Sequence, residues 1–143
     1  MYKVTENKID VHIFKLLEHA TSTDKVMEEY NLYQQIEARR LYGWKDNNTY
    51  VACIGIEKLG GRVAEIKHIA VMPKNRNQHL GSKMINYVLK EIGIRRLIAE
   101  TDHEAVGFYQ RYGFTISSLG EKYPGVERFL CVWEEKVPVE QTR

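Results

Sequence analysis

Residues 69–82 read Ile-Ala-Val-Met-Pro-Lys-Asn-Arg-Asn-Gln-His-Leu-Gly-Ser. An apolar β-run ends at Pro73, a polar and basic loop follows, and a helix opens near Gly81 and Ser82. A strand that runs through such a loop into a helix start is a device for holding phosphate. The first-turn N–H groups have no partner inside the helix, and the helix dipole favours negative charge there. Arg76 adds a positive charge on a planar fork that matches phosphate oxygens. The plainer alternative is an ordinary helix N-terminus with Ser82 near its cap.

Working outward, Arg62 to Met72 reads as the central strand, and residues 81–92 as an amphipathic helix. Met84, Ile85, Val88, Leu89 and Ile92 fall on one stripe of that helix, and Gly93 ends it. Upstream, Tyr2 to Thr5 reads as a short strand. Asp10 reads as the N-cap of a helix carrying Ile13, Leu16, Leu17 and Ala20 on one face. A second helix turns Val26, Met27, Tyr30 and Tyr33 inward. The strands Arg39–Lys45 and Thr49–Lys58 flank the turn Asp46-Asn47-Asn48, and Gly60-Gly61 turns the chain again. Downstream come a strand at Arg96–Glu100, a helix at Glu104–Tyr112 closed by Gly113, and strands at Phe114–Leu119 and Arg128–Glu134 around Pro124-Gly125. This order predicts an α/β or α+β layered sheet covered by helices. Residues 1–136 form a single domain in this reading, and 137–143 a flexible tail.

Composition excludes several classes. The length of 143 residues fits one domain with a real core. A net charge of +2, with Lys and Arg dispersed, does not support a nucleic-acid partner. Cys53 and Cys131 lie in apolar runs and read as buried small hydrophobes of a reducing compartment. No Cys/His cluster has metal-ligand spacing, so no metal is expected. With no signal-peptide pattern and no apolar run near 18 residues, a cytoplasmic protein away from membranes is expected. Neither the Walker A pattern nor Gly-x-Gly-x-x-Gly after an early strand is present, which argues against P-loop and dinucleotide folds.

The loop resembles the pyrophosphate loop of the GNAT N-acetyltransferases: Arg or Gln, two residues, Gly, one residue, then Gly or Ala. The matching positions are Arg76, His79 and Gly81, with His79 where the first Gly is usual. A second segment, Ala105-Val-Gly-Phe-Tyr-Gln-Arg-Tyr-Gly-Phe114, is similar to the family's Ala-x-x-x-Tyr-x-x-x-Gly-Phe. Asp102 stands where the family often has Asn. The resemblance runs from about Arg39 to Trp133 and is loose over the first 38 residues. It implies a mixed, mostly antiparallel sheet of about six to seven strands flanked by helices. It also implies acyl transfer from acetyl-CoA to an amine of a small molecule or peptide. A homodimer joined through the last strand, as in many relatives, is compatible with it.

The resemblance assigns roles. Tyr109 matches the tyrosine beside the cofactor sulfur. A phenol of pKa about 10 can hydrogen-bond a thiolate whose conjugate acid has pKa about 8.5. Glu65 is the candidate general base, with a surface carboxylate paired to Lys67 or Arg62 as the alternative. His68 titrates near neutrality, but strand alternation sets it on the face opposite Glu65 and Lys67 unless a β-bulge intervenes. The backbone N–H of Ile69 is the candidate oxyanion donor. Ile69, Ala70 and Val71 would meet the pantetheine arm like an added strand. Asn77, Gln78, His79, Leu80, Gly81 and Ser82 would cradle the pyrophosphate with Arg76, and Asp102 and Tyr109 complete the cofactor set. By the same resemblance the acceptor pocket forms from the early helices, Tyr42, Trp44 and the loop at Tyr123. Tyr30 and Tyr33 share a helical face that is either core or pocket. A CoA-binding sensor of the same fold with little turnover remains the competing function.

Overall fold

The computed structural model describes residues 1–136. Two tight turns start the sheet. Asn47 and Asn48 both take left-handed backbone (φ 51° and 64°) and join β2 (Arg39–Asp46) to β3 (Thr49–Gly60). Asparagine tolerates that region because its short polar side chain bonds locally. Gly61 and Arg62 do the same for β3 and β4 (Val63–Val71), so Gly60 itself belongs to the strand. With β1 (Tyr2–Lys3), β5 (Arg96–Thr101), β6 (Thr115–Tyr123) and β7 (Val126–Glu134), the described residues form a seven-stranded sheet. Its order is β1-β2-β3-β4-β5-β7-β6. Neighbours are antiparallel except β4 and β5, which run parallel.

Helices α1 (Val11–Ala20) and α2 (Val26–Gln35) cover one face, and α3 (Leu80–Lys90) and α4 (His103–Tyr112) the other. The amphipathic stripes decide this. Ile13, Leu16 and Leu17 are fully buried against Cys53 and Ala70, whereas Met84, Ile85 and Val88 are fully buried against Ile54, Ile56 and Leu97. Each such side chain stabilises the docking by roughly 1.5–3 kcal/mol. Helix α3 stops at Lys90, two residues short of the expected 92. Met27, expected inward, is exposed, because Val26, Tyr30 and Tyr33 already fill the buried stripe of α2. Cys53 and Cys131 are free and buried, and burial pushes the Cys53 thiol up to about 12. No helix of the described residues is long and apolar enough to cross a membrane. The tail expected from Val137 lies outside the described residues.

Two irregularities shape the centre of the sheet. Strands β4 and β5 pair at Val63–Glu65 with Arg96–Ile98, and no later pairing joins them among the described residues. The strands therefore part after Glu65. Beside this split the β3–β4 ladder slips: Ile56 faces Ile66 but Gly55 faces His68, leaving Lys67 as an extra residue. That bulge inverts the faces. Before it, Ala64 and Ile66 point to the α3/α4 core; after it, Ile69 and Val71 do, and Ala70 joins the α1/α2 core. His68 thus shares a face with Glu65 and Lys67, which corrects the expectation from simple alternation.

Candidate active site

The split leaves backbone groups without a strand to pair with. Met72 N–H donates to Val51 O at 2.8 Å, which fixes the hydrogen-bonded pairs of the antiparallel ladder at that end. Such pairs alternate, so the N–H groups of Ile69 and Val71 point away from β3, into the gap towards β5. The Val71 carbonyl, on the same side, accepts from Arg76 Nε at 3.1 Å. The gap opens into a groove of about 740 Å³. Ile69, Ala70 and Val71 form one wall, and Arg76, Asn77, His79, Leu80, Gly81 and Ser82 form its end. Tyr109 of α4 also lines the groove.

The end wall is the start of α3. His79, the residue before the helix, is left-handed (φ 61°), as is Asn77 (φ 65°). A non-glycine residue there costs roughly 1–2 kcal/mol. The burial of Leu80, Met84, Ile85 and Val88 outweighs that cost, at about 1.5–3 kcal/mol each. No side chain among the described residues caps the helix, and its first turn holds no acid. The first N–H groups are open towards the groove. Gly81 is required by packing: a Cβ there would lie 2.9 Å from the Phe108 ring of α4.

Tyr109 is held edge-on between Phe108 and Phe114, with ring centroids 5.2 and 5.1 Å away, and is 4% exposed. Burial first, and the neighbouring Cys131 second, raise its pKa well above the usual phenol value. The phenol therefore stays protonated at neutral pH and is available as a hydrogen-bond donor.

Glu65 does not line the groove. It sits on the α1/α2 face and pairs with Lys67 at 3.3 Å. Lys67 also reaches Glu57 (3.8 Å), Glu57 meets Arg39 (3.3 Å), and Arg39 meets Glu29 (3.0 Å). His68 is buried beside this chain of charges. Its Nδ1 is 2.6 Å from the Tyr33 hydroxyl and its Nε2 is 3.6 Å from Glu29. Burial lowers its pKa, assisted by Arg39 and Lys67 and opposed by Glu29, so the ring is neutral at pH 7.

Gln78 and Asp102 do not line the groove either. Asp102 caps α4, accepting from the N–H groups of Glu104 (3.0 Å) and Ala105 (3.2 Å). The residues expected at an acceptor pocket do not gather. Tyr30 donates to the Glu6 carbonyl, Tyr33 is committed to His68, and Tyr42 packs edge-on against Tyr87, all buried. Instead the groove draws on His19 from the last turn of α1, Asn75, and Glu104, Arg111 and Tyr112 of α4. Sequence reasoning missed these residues. Nothing in an exposed histidine at a helix end signals which groove it borders. Asn75 carries one signal in the structure: its buried Oδ1 has no hydrogen-bond partner among the described residues.

The geometry has counterparts among known proteins. The chain is 27% identical over 84 residues to an uncharacterized N-acetyltransferase in the lysA 3′ region of Bacillus methanolicus, spanning 59% of this chain and 70% of that one. Its fold matches a GNAT family acetyltransferase from Elizabethkingia anophelis solved with acetyl-CoA bound. That match has TM-score 0.73 and 24% identity and covers 93% and 95% of the two chains. It also matches an aminoglycoside 6′-N-acetyltransferase complexed with coenzyme A, with TM-score 0.76 and 17% identity, covering 96% and 99%. The sequence profile of the Acetyltransferase (GNAT) family matches residues 11–114, from the first long helix to the phenylalanine that packs on Tyr109. With the split sheet and the uncapped helix inside that span, the chain belongs to the GNAT acetyltransferase family.

Proposed function

We propose that the protein transfers the acetyl group of acetyl-CoA to a primary amine, of a small molecule or an exposed peptide, by direct attack in a ternary complex. One observation carries this reading. A single groove joins the uncapped start of α3, the free N–H groups of Ile69 and Val71, and the Tyr109 phenol. The first suits a pyrophosphate, with Arg76 adding charge. The second suits the amide-bearing pantetheine arm, which would pair with β4 as an added strand. The third suits the sulfur. The amine nitrogen attacks the thioester carbonyl, and the Ile69 N–H stabilises the oxygen as charge builds. The C–S bond then breaks, and the thiolate leaves hydrogen-bonded to the Tyr109 phenol, which keeps its own proton, and is protonated by solvent. Because burial makes the phenolate unfavourable, hydrogen bonding to sulfur dominates over early proton transfer. The proton lost by the attacking nitrogen leaves to solvent; Glu65, outside the groove and paired with Lys67, would take it only through intervening water.

The experiment is acetyl-CoA binding by calorimetry, followed by thiol release against a panel of amines. Binding with amine-dependent release supports the reading, and no binding overturns it. Tyr109→Phe is expected to lower kcat by about 10²-fold while leaving CoA affinity within about twofold. Equal losses would make Tyr109 a packing residue. A CoA-binding domain with little turnover is the second reading. It is favoured by one fact: Glu65 is neutralised by Lys67 and stands outside the groove.

A further inference from the structure

We propose that His68, clamped by Tyr33, is a positioning residue for acyl transfer: it pins the Lys67 bulge that aims the Ile69 N–H into the β4–β5 gap. The inference rests on the acyl-transfer reading above.

An extra residue in a strand must be held in place, or the ladder slips back into regular pairing. Regular pairing resumes at His68 opposite Gly55, one residue after Lys67 and one before Ile69. At that point three elements meet. The Tyr33 hydroxyl of α2 is 2.6 Å from His68 Nδ1, and the two rings meet edge-on at 5.6 Å. Both side chains are buried. Below them Gly55 leaves the space that Tyr33 occupies, since a Cβ there would lie 1.8 Å from the hydroxyl oxygen.

The ring is also fixed in one form. Nε2 faces the Glu29 carboxylate at 3.6 Å, which favours the ring proton there and leaves Nδ1 to accept from the Tyr33 hydroxyl. Glu29 is itself held by Arg39. The remaining charged or titratable neighbours are tied up or inert: Glu57 with Arg39 and Lys67, Lys67 with Glu65, and the buried Cys53 thiol. His68 does not line the groove, so it cannot serve as a base for the amine. It acts through the backbone. Were the bulge to relax, alternation would turn the Ile69 N–H towards β3 and present the wrong amide to the thioester.

The test compares His68→Leu with His68→Asn. The asparagine Oδ1 lies near the place of Nδ1 and still accepts from Tyr33. His68→Leu is expected to lower kcat by about 10- to 100-fold, the scale of a misplaced reacting group, with acetyl-CoA affinity within about threefold. His68→Asn is expected to restore kcat to within about fivefold of the native value. The proposal is overturned if His68→Leu turns over normally, if Asn does no better than Leu, or if kcat and affinity fall together. Should His68→Leu not fold, Tyr33→Phe takes its place under the same criteria. A native protein that binds acetyl-CoA but acetylates no amine defeats the functional reading alone. The pin is then read from the Ile69 amide resonance. It should shift on CoA binding in the native and Asn proteins and stay in place in His68→Leu; a native shift in His68→Leu overturns the pin.

Discussion

Two helices border the same groove, and their N-termini are finished differently. Helix α4 is closed by its own sequence: Asp102 accepts from Glu104 and Ala105 N–H, and Glu104 adds a second acid in the first turn. Helix α1 is closed in the same way by Asp10. Helix α3 begins at a left-handed His79, with no capping side chain among the described residues and no acid in its first turn. Equal dipoles thus produce opposite sites. A carboxylate from the chain neutralises one end, and the other is left for an anion from outside. In the proposed function, the phosphate site is defined as much by the missing cap as by the amides themselves.

The sharpest way to break this contrast is to give α3 an acid. Ser82→Glu should weaken CoA binding by up to about a thousandfold, because like charges about 4 Å apart near a protein surface repel by roughly 4 kcal/mol. The same change should raise stability by about 0.3–1 kcal/mol, since the helix dipole welcomes it. Calorimetry and thermal melts would read the opposite signs, and a parallel fall in both would remove the phosphate from α3. Gly81→Ala comes next. Its Cβ meets Phe108, so the ring must move against Tyr109, with an expected net loss of about 1–2 kcal/mol; an unchanged denaturant midpoint would show that Phe108 yields freely. Asp102→Ala opens α4 and should cost about 1 kcal/mol while leaving CoA affinity unchanged. A large loss of affinity would restore Asp102 to the cofactor set. The smallest effect is His79→Gly, which relieves the left-handed strain and should stabilise by up to about 1 kcal/mol without loss of CoA binding.

How legible the molecule was depended on how local each feature is. The hairpin at Asn47-Asn48, the buried stripes of α1 and α3 and the Asp10 cap are written in adjacent residues, and the strand and helix order followed from them. Most groove residues between Ile69 and Ser82 were legible for the same reason, as one run from strand to helix, with Asn75 missed and Gln78 wrongly included. His68 was not. Its face depends on Lys67 being extra, and that is a property of the pairing with Gly55 and Ile56, not of the alternation within β4. Nor was the fate of Tyr33, whose helical spacing fits core and pocket equally well; the choice was made by His68 and Gly55, both distant in sequence.

The sequence by itself determined the family, the order of elements, the open start of α3 and the tyrosine on the facing helix. Each rests on neighbouring residues whose backbone and capping preferences act over one or two turns. The tertiary structure alone decided where β4 and β5 part, which amides face the gap, that Glu65 and His68 share a face, and that His19 reaches the groove. Those follow from register and from contacts between distant segments, where a one-residue slip reverses every side chain and every amide along the strand.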